Sequence, residues 1–167
     1  MKKHIQDKTY TFEELLNEHG YIVYTNVGYS MMPLLRQRRD IIEIRAKKPG
    51  QRFEKYDAVL YKRGEQYILH RIIQVRERDY VICGDHNIQK EYGITDEHIL
   101  GVMTRVIRNG KNIDCQKSMC YRLYVHLWVD FFPIKAFIMI TNGYIRAAGS
   151  RVKQWLYNLL FTAKKGT

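Results

Sequence analysis

Three residue types that can together cleave an acyl bond follow one another along this chain: a serine, a histidine and an acid. Ser30 stands in Gly28-Tyr29-Ser30-Met31-Met32-Pro33. A serine hydroxyl is a poor nucleophile and needs a base within hydrogen-bond reach. His70, in Tyr67-Ile68-Leu69-His70-Arg71-Ile72-Ile73, is the candidate base. The two-residue period of a strand puts it on one face with Ile68 and Ile72. An imidazole held among apolar side chains stays neutral, the form a general base requires. Asp85, in Cys83-Gly84-Asp85-His86-Asn87, and Glu91 are candidates for the acid that would orient His70 and stabilise its cation.

Each residue also has a plainer reading. A lone histidine in a strand is ordinarily a core histidine bonded to a carbonyl. Gly-Asp-x-Asn makes side-chain-to-backbone bonds in turns without any catalytic role, and Glu91 reads equally as a solvated charge. A metal site at Cys83, Asp85, His86 and His98 has little support, because no zinc-ligand spacing recurs. Neither a metal nor a cofactor is expected.

The elements that must position these residues are mostly strands. Thr11 with Glu14 three positions on is a capping box, so a short helix is predicted, ending at Gly20. From Tyr21 the pattern turns extended. Strands are predicted over 21–27, 41–45, 56–62, 66–75, 80–83 and 98–107, with Asn109-Gly110 as a hairpin turn that closes the β-rich part. Gly28 permits a positive φ, and Pro33 disfavours helix at Met32. The predicted class is mainly β, with a lead-in and short helix over 1–20, a β domain over 21–113 and a basic helical extension over 114–167.

Charge separates that extension from the rest. The whole chain carries +11, which points to an anionic partner. From Lys117 to Thr167 there are eight Lys/Arg against the single acid Asp130. Leu123, Leu127, Phe131, Ile134 and Ile138 recur at helical spacing, with Tyr124, Trp128 and Phe132 as an adjacent stripe. Pro133 should kink or divide the helix, and a second helical piece is predicted from Ser150 through Leu160. Asp130 and Lys135 inside the apolar window argue against a simple membrane span. A helix lying in a membrane interface and a helix packed on its own domain or on a partner chain suit residues 117–162 equally well. The polar N-terminus and the odd cysteine count (Cys83, Cys115, Cys120) indicate a reduced, cytoplasmic setting, with a peripheral position at the inner face of the membrane if the extension docks there.

Taken together, these stretches resemble a known family. Gly28 to Pro33 resembles the Ser-Met-x-Pro box of type I signal peptidases and LexA-type self-cleaving repressors. His70-Arg71-Ile72-Ile73 resembles the His-Arg-Val box of the endoplasmic-reticulum and archaeal signal peptidases. Gly84-Asp85-His86-Asn87 resembles the Gly-Asp-Asn-Asn box, Tyr56-Asp57-Ala58-Val59 the Gly-Asp-x-Val strand, and Ile99-Leu100-Gly101-Val102 the closing Ile-x-Gly-x-Val strand. The boxes keep their order across residues 21–110.

The resemblance implies a mostly antiparallel β-fold that hydrolyses peptide bonds without metal or cofactor. Ser30 would be the nucleophile and His70 the base, and Met31, Met32 and Pro33 would lie against the substrate. The family's acid falls six residues after the Asp of the Gly-Asp box, here Glu91 where the family has Asp, so whether Asp85, Glu91 or neither supports His70 stays open. Gly28 replaces the serine that lends a hydroxyl to the bacterial oxyanion hole, which leaves the Ser30 backbone N–H as donor. The family's N-terminal anchor has no counterpart in the first twenty residues, and the basic extension can substitute for it or dock a partner. The expected function is a serine endopeptidase acting on a leader or signal segment. The alternatives are an inactive peptide-binding module on the same fold, or a basic nucleic-acid-binding protein. No RNA-binding aromatic motif and no helix-turn-helix supports the last, so no specific nucleic acid is expected.

Overall fold

The computed structural model describes residues 10–137, 139–141 and 150–151. The predicted lead-in over 1–9 and the body of the second helical piece, 152–160, lie outside the described residues. Two compact units divide between Val129 and Asp130. The first holds α1 (Phe12–His19), β1 (Tyr21–Thr25), β2 (Ile41–Ala46), β3 (Ala58–Arg63), β4 (Gln66–Val75), β5 (Tyr80–Cys83), β6 (Glu91–Ile94), β7 (Ile99–Arg108), β8 (Lys111–Asp114) and nearly all of α2 (Met119–Asp130).

The protein is mainly β, with one antiparallel eight-stranded sheet in the order β1-β2-β7-β3-β4-β5-β6 and β8 paired to β7. Thr11 caps α1 through the predicted box, and Gly20 ends it in the left-handed conformation at φ 75°. Because side chains alternate across a strand, β3 sends Ala58 and Leu60 into one apolar cluster and Val59 and Tyr61 into another. Its β4 partner alternates in step: Leu69 joins the first cluster and Ile72 the second. Gly101 is needed where β7 passes β2, since a Cβ there would stand 2.4 Å from the Arg45 carbonyl oxygen.

Two strands escape the sequence pattern. β6 contains Gly93 at φ 75° and pairs irregularly with β5, so its period is broken. β8 carries Lys111, Asn112 and Asp114, polar residues that hide strand character, and it pairs with β7 across the Asn109-Gly110 turn.

The boundary near residue 114 moves. α2 belongs with the sheet, because Tyr121, Val125 and Val129 are buried in the same cluster as Leu16, Ile44 and Met103. The inward face is therefore Tyr121/Val125/Val129, not the Leu123/Leu127 stripe that the periodicity singled out. In the second unit a helix runs over Phe132–Thr141, so the helical run is divided near Pro133.

Candidate active site

The loop between β1 and β2 carries Ser30, and its base is closed by buried polar groups. Asn26 N–H donates to the Asp40 carbonyl at 3.0 Å, and Arg38 N–H donates back to the Asn26 carbonyl at 2.9 Å. Asp40 is buried and accepts from Arg108 Nε at 2.9 Å and from Arg36 N–H at 2.8 Å. Burial alone would raise the Asp40 carboxyl, but Arg108 and the Arg36 N–H outweigh it and hold the group below the usual range. Within the loop, Gly28 sits at φ 126°, a conformation that L side chains rarely adopt.

Ser30 is joined to the Gly84 turn rather than directly to the histidine. Its carbonyl accepts from His86 N–H at 2.7 Å. A Cβ on Gly84 would lie 2.6 Å from that carbonyl oxygen, 2.8 Å from Asn87 Nδ2 and 3.0 Å from His70 Nε2. The serine backbone and imidazole Nε2 thus flank one point, and only glycine leaves room for the approach. No hydrogen bond joins Ser30 Oγ to His70 Nε2. The Ser30 N–H likewise has no protein partner among the described residues.

The other side of the imidazole is fully engaged. His70 Nδ1 lies 2.9 Å from Glu91 Oε1. Tyr61 hydroxyl is 2.9 Å from both Glu91 oxygens and 3.3 Å from His70 Nδ1. Arg63 Nη1 donates to Glu91 Oε2 at 2.8 Å. Burial pushes the Tyr61 phenol up, and the Glu91 charge adds to it, so Tyr61 keeps its proton and donates it to the carboxylate. The Nδ1 proton then belongs to the Glu91 bond, and Nε2, on the Gly84 and Ser30 side, carries the lone pair. Burial lowers the His70 value below its ordinary range; the Glu91 carboxylate pulls the other way and loses. The imidazole is neutral near pH 7.

Asp85 does something else. It faces away from His70 and forms a two-point pair with Arg71, Nε to Oδ1 and Nη2 to Oδ2, both at 2.8 Å. Tyr124 hydroxyl donates to Oδ2 at 3.1 Å, and Trp128 Nε1 donates to the Asp85 carbonyl at 2.6 Å. Arg71 also donates to the Tyr56 carbonyl at 2.8 Å and to Tyr121 hydroxyl at 3.1 Å. The alternative left open between Asp85 and Glu91 closes on Glu91 as the carboxylate at His70, because Asp85 is consumed by a buried arginine on the opposite face of β4.

Met31 is a second correction: it is 1% exposed and packs in the core with Leu35 and Ile42, which removes it from any substrate surface. Met32 is half-buried and Pro33 exposed. Sequence reasoning missed Tyr61 and Arg63. The signal was there, since the tight Gly64-Glu65 turn pairs Arg63 with Gln66 and Tyr61 with Ile68, which puts Tyr61 diagonal to His70 on one face.

Ser30 lines a cleft of about 350 Å³ with Phe12, Tyr24, Asn26, Val27 and Tyr67. His70 and Glu91 line another with Arg63 and Asn87, and Ile68 borders both. No cluster of three or more His, Cys, Asp or Glu residues suited to a metal occurs among the described residues. Comparison with known proteins finds no matching family model, no matching curated protein and no matching solved structure.

Proposed function

We propose that the chain is a serine peptidase with a signal-peptidase-like β domain, in which Ser30 is the nucleophile, His70 the general base and Glu91 the acid that orients it. The observation that carries this reading is the polarity of the imidazole. Nδ1 is held by Glu91, while the free Nε2 faces the point that the Ser30 backbone also borders. In the first half-reaction Ser30 Oγ attacks the scissile carbonyl carbon as Nε2 takes its proton. Collapse breaks the C–N bond, and the imidazolium passes that proton to the leaving amine. Water then attacks the acyl ester, His70 accepts its proton, and the proton returns to Ser30 Oγ as the acid product leaves. The unpaired Ser30 N–H supplies one donor for the oxyanion. An extended peptide would seat its side chain in the cleft between Tyr24, Asn26 and Tyr67.

The test is labelling with a fluorophosphonate probe, together with a peptide library read by mass spectrometry. Wild type should label and cleave, while Ser30→Ala and His70→Ala should do neither. Equal labelling of wild type and Ser30→Ala would overturn the assignment. A second reading, a peptide-binding module without turnover, draws on the absent Ser30–His70 hydrogen bond. Catalytic hydrogen bonds often tighten only with substrate bound, which is why it ranks second. It would be favoured by peptide binding that persists in Ser30→Ala while wild type cleaves nothing.

A further inference from the structure

α2 is amphipathic in reverse. Its inner face is fixed by more than apolar contact: Tyr121 accepts from Arg71, while Tyr124 and Trp128 donate to Asp85, with Val125 and Val129 buried beside them. Rotating the helix about its axis would break these bonds, so the opposite face cannot be turned inward. That opposite face presents Met119, Leu123 and Leu127, at 76%, 62% and 51% exposure. Spaced by four, they form one stripe along the helix. A stripe of three large exposed side chains on a helix that already has a satisfied inner face is what an interaction surface looks like.

We propose that this face of α2 docks the protein on an anionic lipid surface. Charge selects the occupant. From Lys117 to Val129 the chain has Lys117 and Arg122 and no Asp or Glu. From Lys117 to Thr167 there are eight Lys/Arg against one acid, Asp130. A second copy of the chain would bring two such segments against each other, and like charges oppose that pairing. Anionic headgroups attract the same charges while the acyl boundary takes the leucines. In the second unit, taken by itself, Ile134, Phe137 and Ile140 are also exposed, and they recur every three residues along the Phe132–Thr141 helix. No single helix among the described residues is long and apolar enough to cross a membrane. Only as a broken pair do α2 and the Phe132–Thr141 helix have the length and composition of a span. Because Tyr121, Tyr124 and Trp128 hold α2 on the sheet, the proposal is a surface attachment.

The test uses the full chain with vesicles of phosphatidylcholine alone and of phosphatidylcholine with phosphatidylglycerol. Flotation should recover the protein with the anionic vesicles at least tenfold more than with the neutral ones, and added salt should weaken recovery. Leu123→Glu with Leu127→Glu should cut recovery at least tenfold without shifting the melting temperature, because both side chains are exposed. A polarity-sensitive label on Cys120, the exposed cysteine beside the stripe, should shift to the blue with anionic vesicles. Equal recovery with both vesicle types, or a double variant that floats as well as wild type, would overturn the proposal. So would a wild-type dimer in solution that the double variant converts to monomer, since that would assign the face to a second copy.

Discussion

His70 and Arg71 are neighbours on β4, yet their side chains serve two unlike clusters. On one face His70 meets a carboxylate that stays partly open to water and is shared with Tyr61 and Arg63. On the other, Arg71 meets a carboxylate enclosed on every side and capped by α2. Both are acid–base pairs at similar distances, 2.9 Å and 2.8 Å. What separates them is the histidine's second nitrogen. Arginine keeps its charge at any working pH and spends its donors on fixed partners, so the Arg71 cluster can only hold the fold. Imidazole retains one lone pair after Glu91 is served, and in the proposed mechanism that lone pair takes the serine proton.

The contrast can be broken most severely on the Arg71 side. Asp85→Ala leaves a buried guanidinium without its counter-charge and should cost about 3–5 kcal/mol of stability in a urea titration. If it lowered turnover while leaving the midpoint untouched, the two clusters would have to exchange roles. Glu91→Ala should do the opposite: kcat falls about 10²-fold or more, with a much smaller loss of stability. Gly84→Ala bears on both clusters, because the new methyl would press on the Ser30 carbonyl and on Nε2. Overpacking of this kind costs about 1–3 kcal/mol, seen as a lowered melting temperature, and labelling of Ser30 should fall with it.

The smallest expected effect concerns pH. Because the folded His70 value lies below the ordinary value of about 6.5, the unfolded chain binds a proton there that the folded chain refuses. Stability should therefore fall as pH drops from about 6.5 through the folded value. His70→Gln should flatten that slope in urea titrations across the window. An unchanged slope would mean that folding leaves the His70 value where it stands in the unfolded chain.

Much of this was legible in the residues. Thr11 with Glu14, the β-branched and aromatic runs of the strands and the Asn109-Gly110 turn are local signals, and the structure follows them. The site was legible as far as order along the chain goes, since Ser30, His70 and the Gly84 turn converge. What could not be read was the direction of side chains that depend on distant partners. Asp85 and Glu91 look alike in sequence, and only the pairing of β4 with β5, and of β5 with β6, sends one to Arg71 and the other to His70. Periodicity likewise found a stripe on α2 without telling which of two apolar stripes faces in. The deciding factor was polar: Tyr124 and Trp128 carry donors that reach Asp85, and leucine carries none.

The Trp128 bond to the Asp85 carbonyl spans 43 residues of chain. Synthesis runs from the N-terminus, and domains generally fold in that order. Ser30, His70 and Glu91 therefore leave the ribosome well before the helix that braces the turn between them. Until residue 128 has emerged, the Gly84–Asn87 turn lacks the Trp128 bond, and the nascent chain carries the three site residues without that outer support. The outer brace of that turn is thus added only when α2 emerges, after all three site residues.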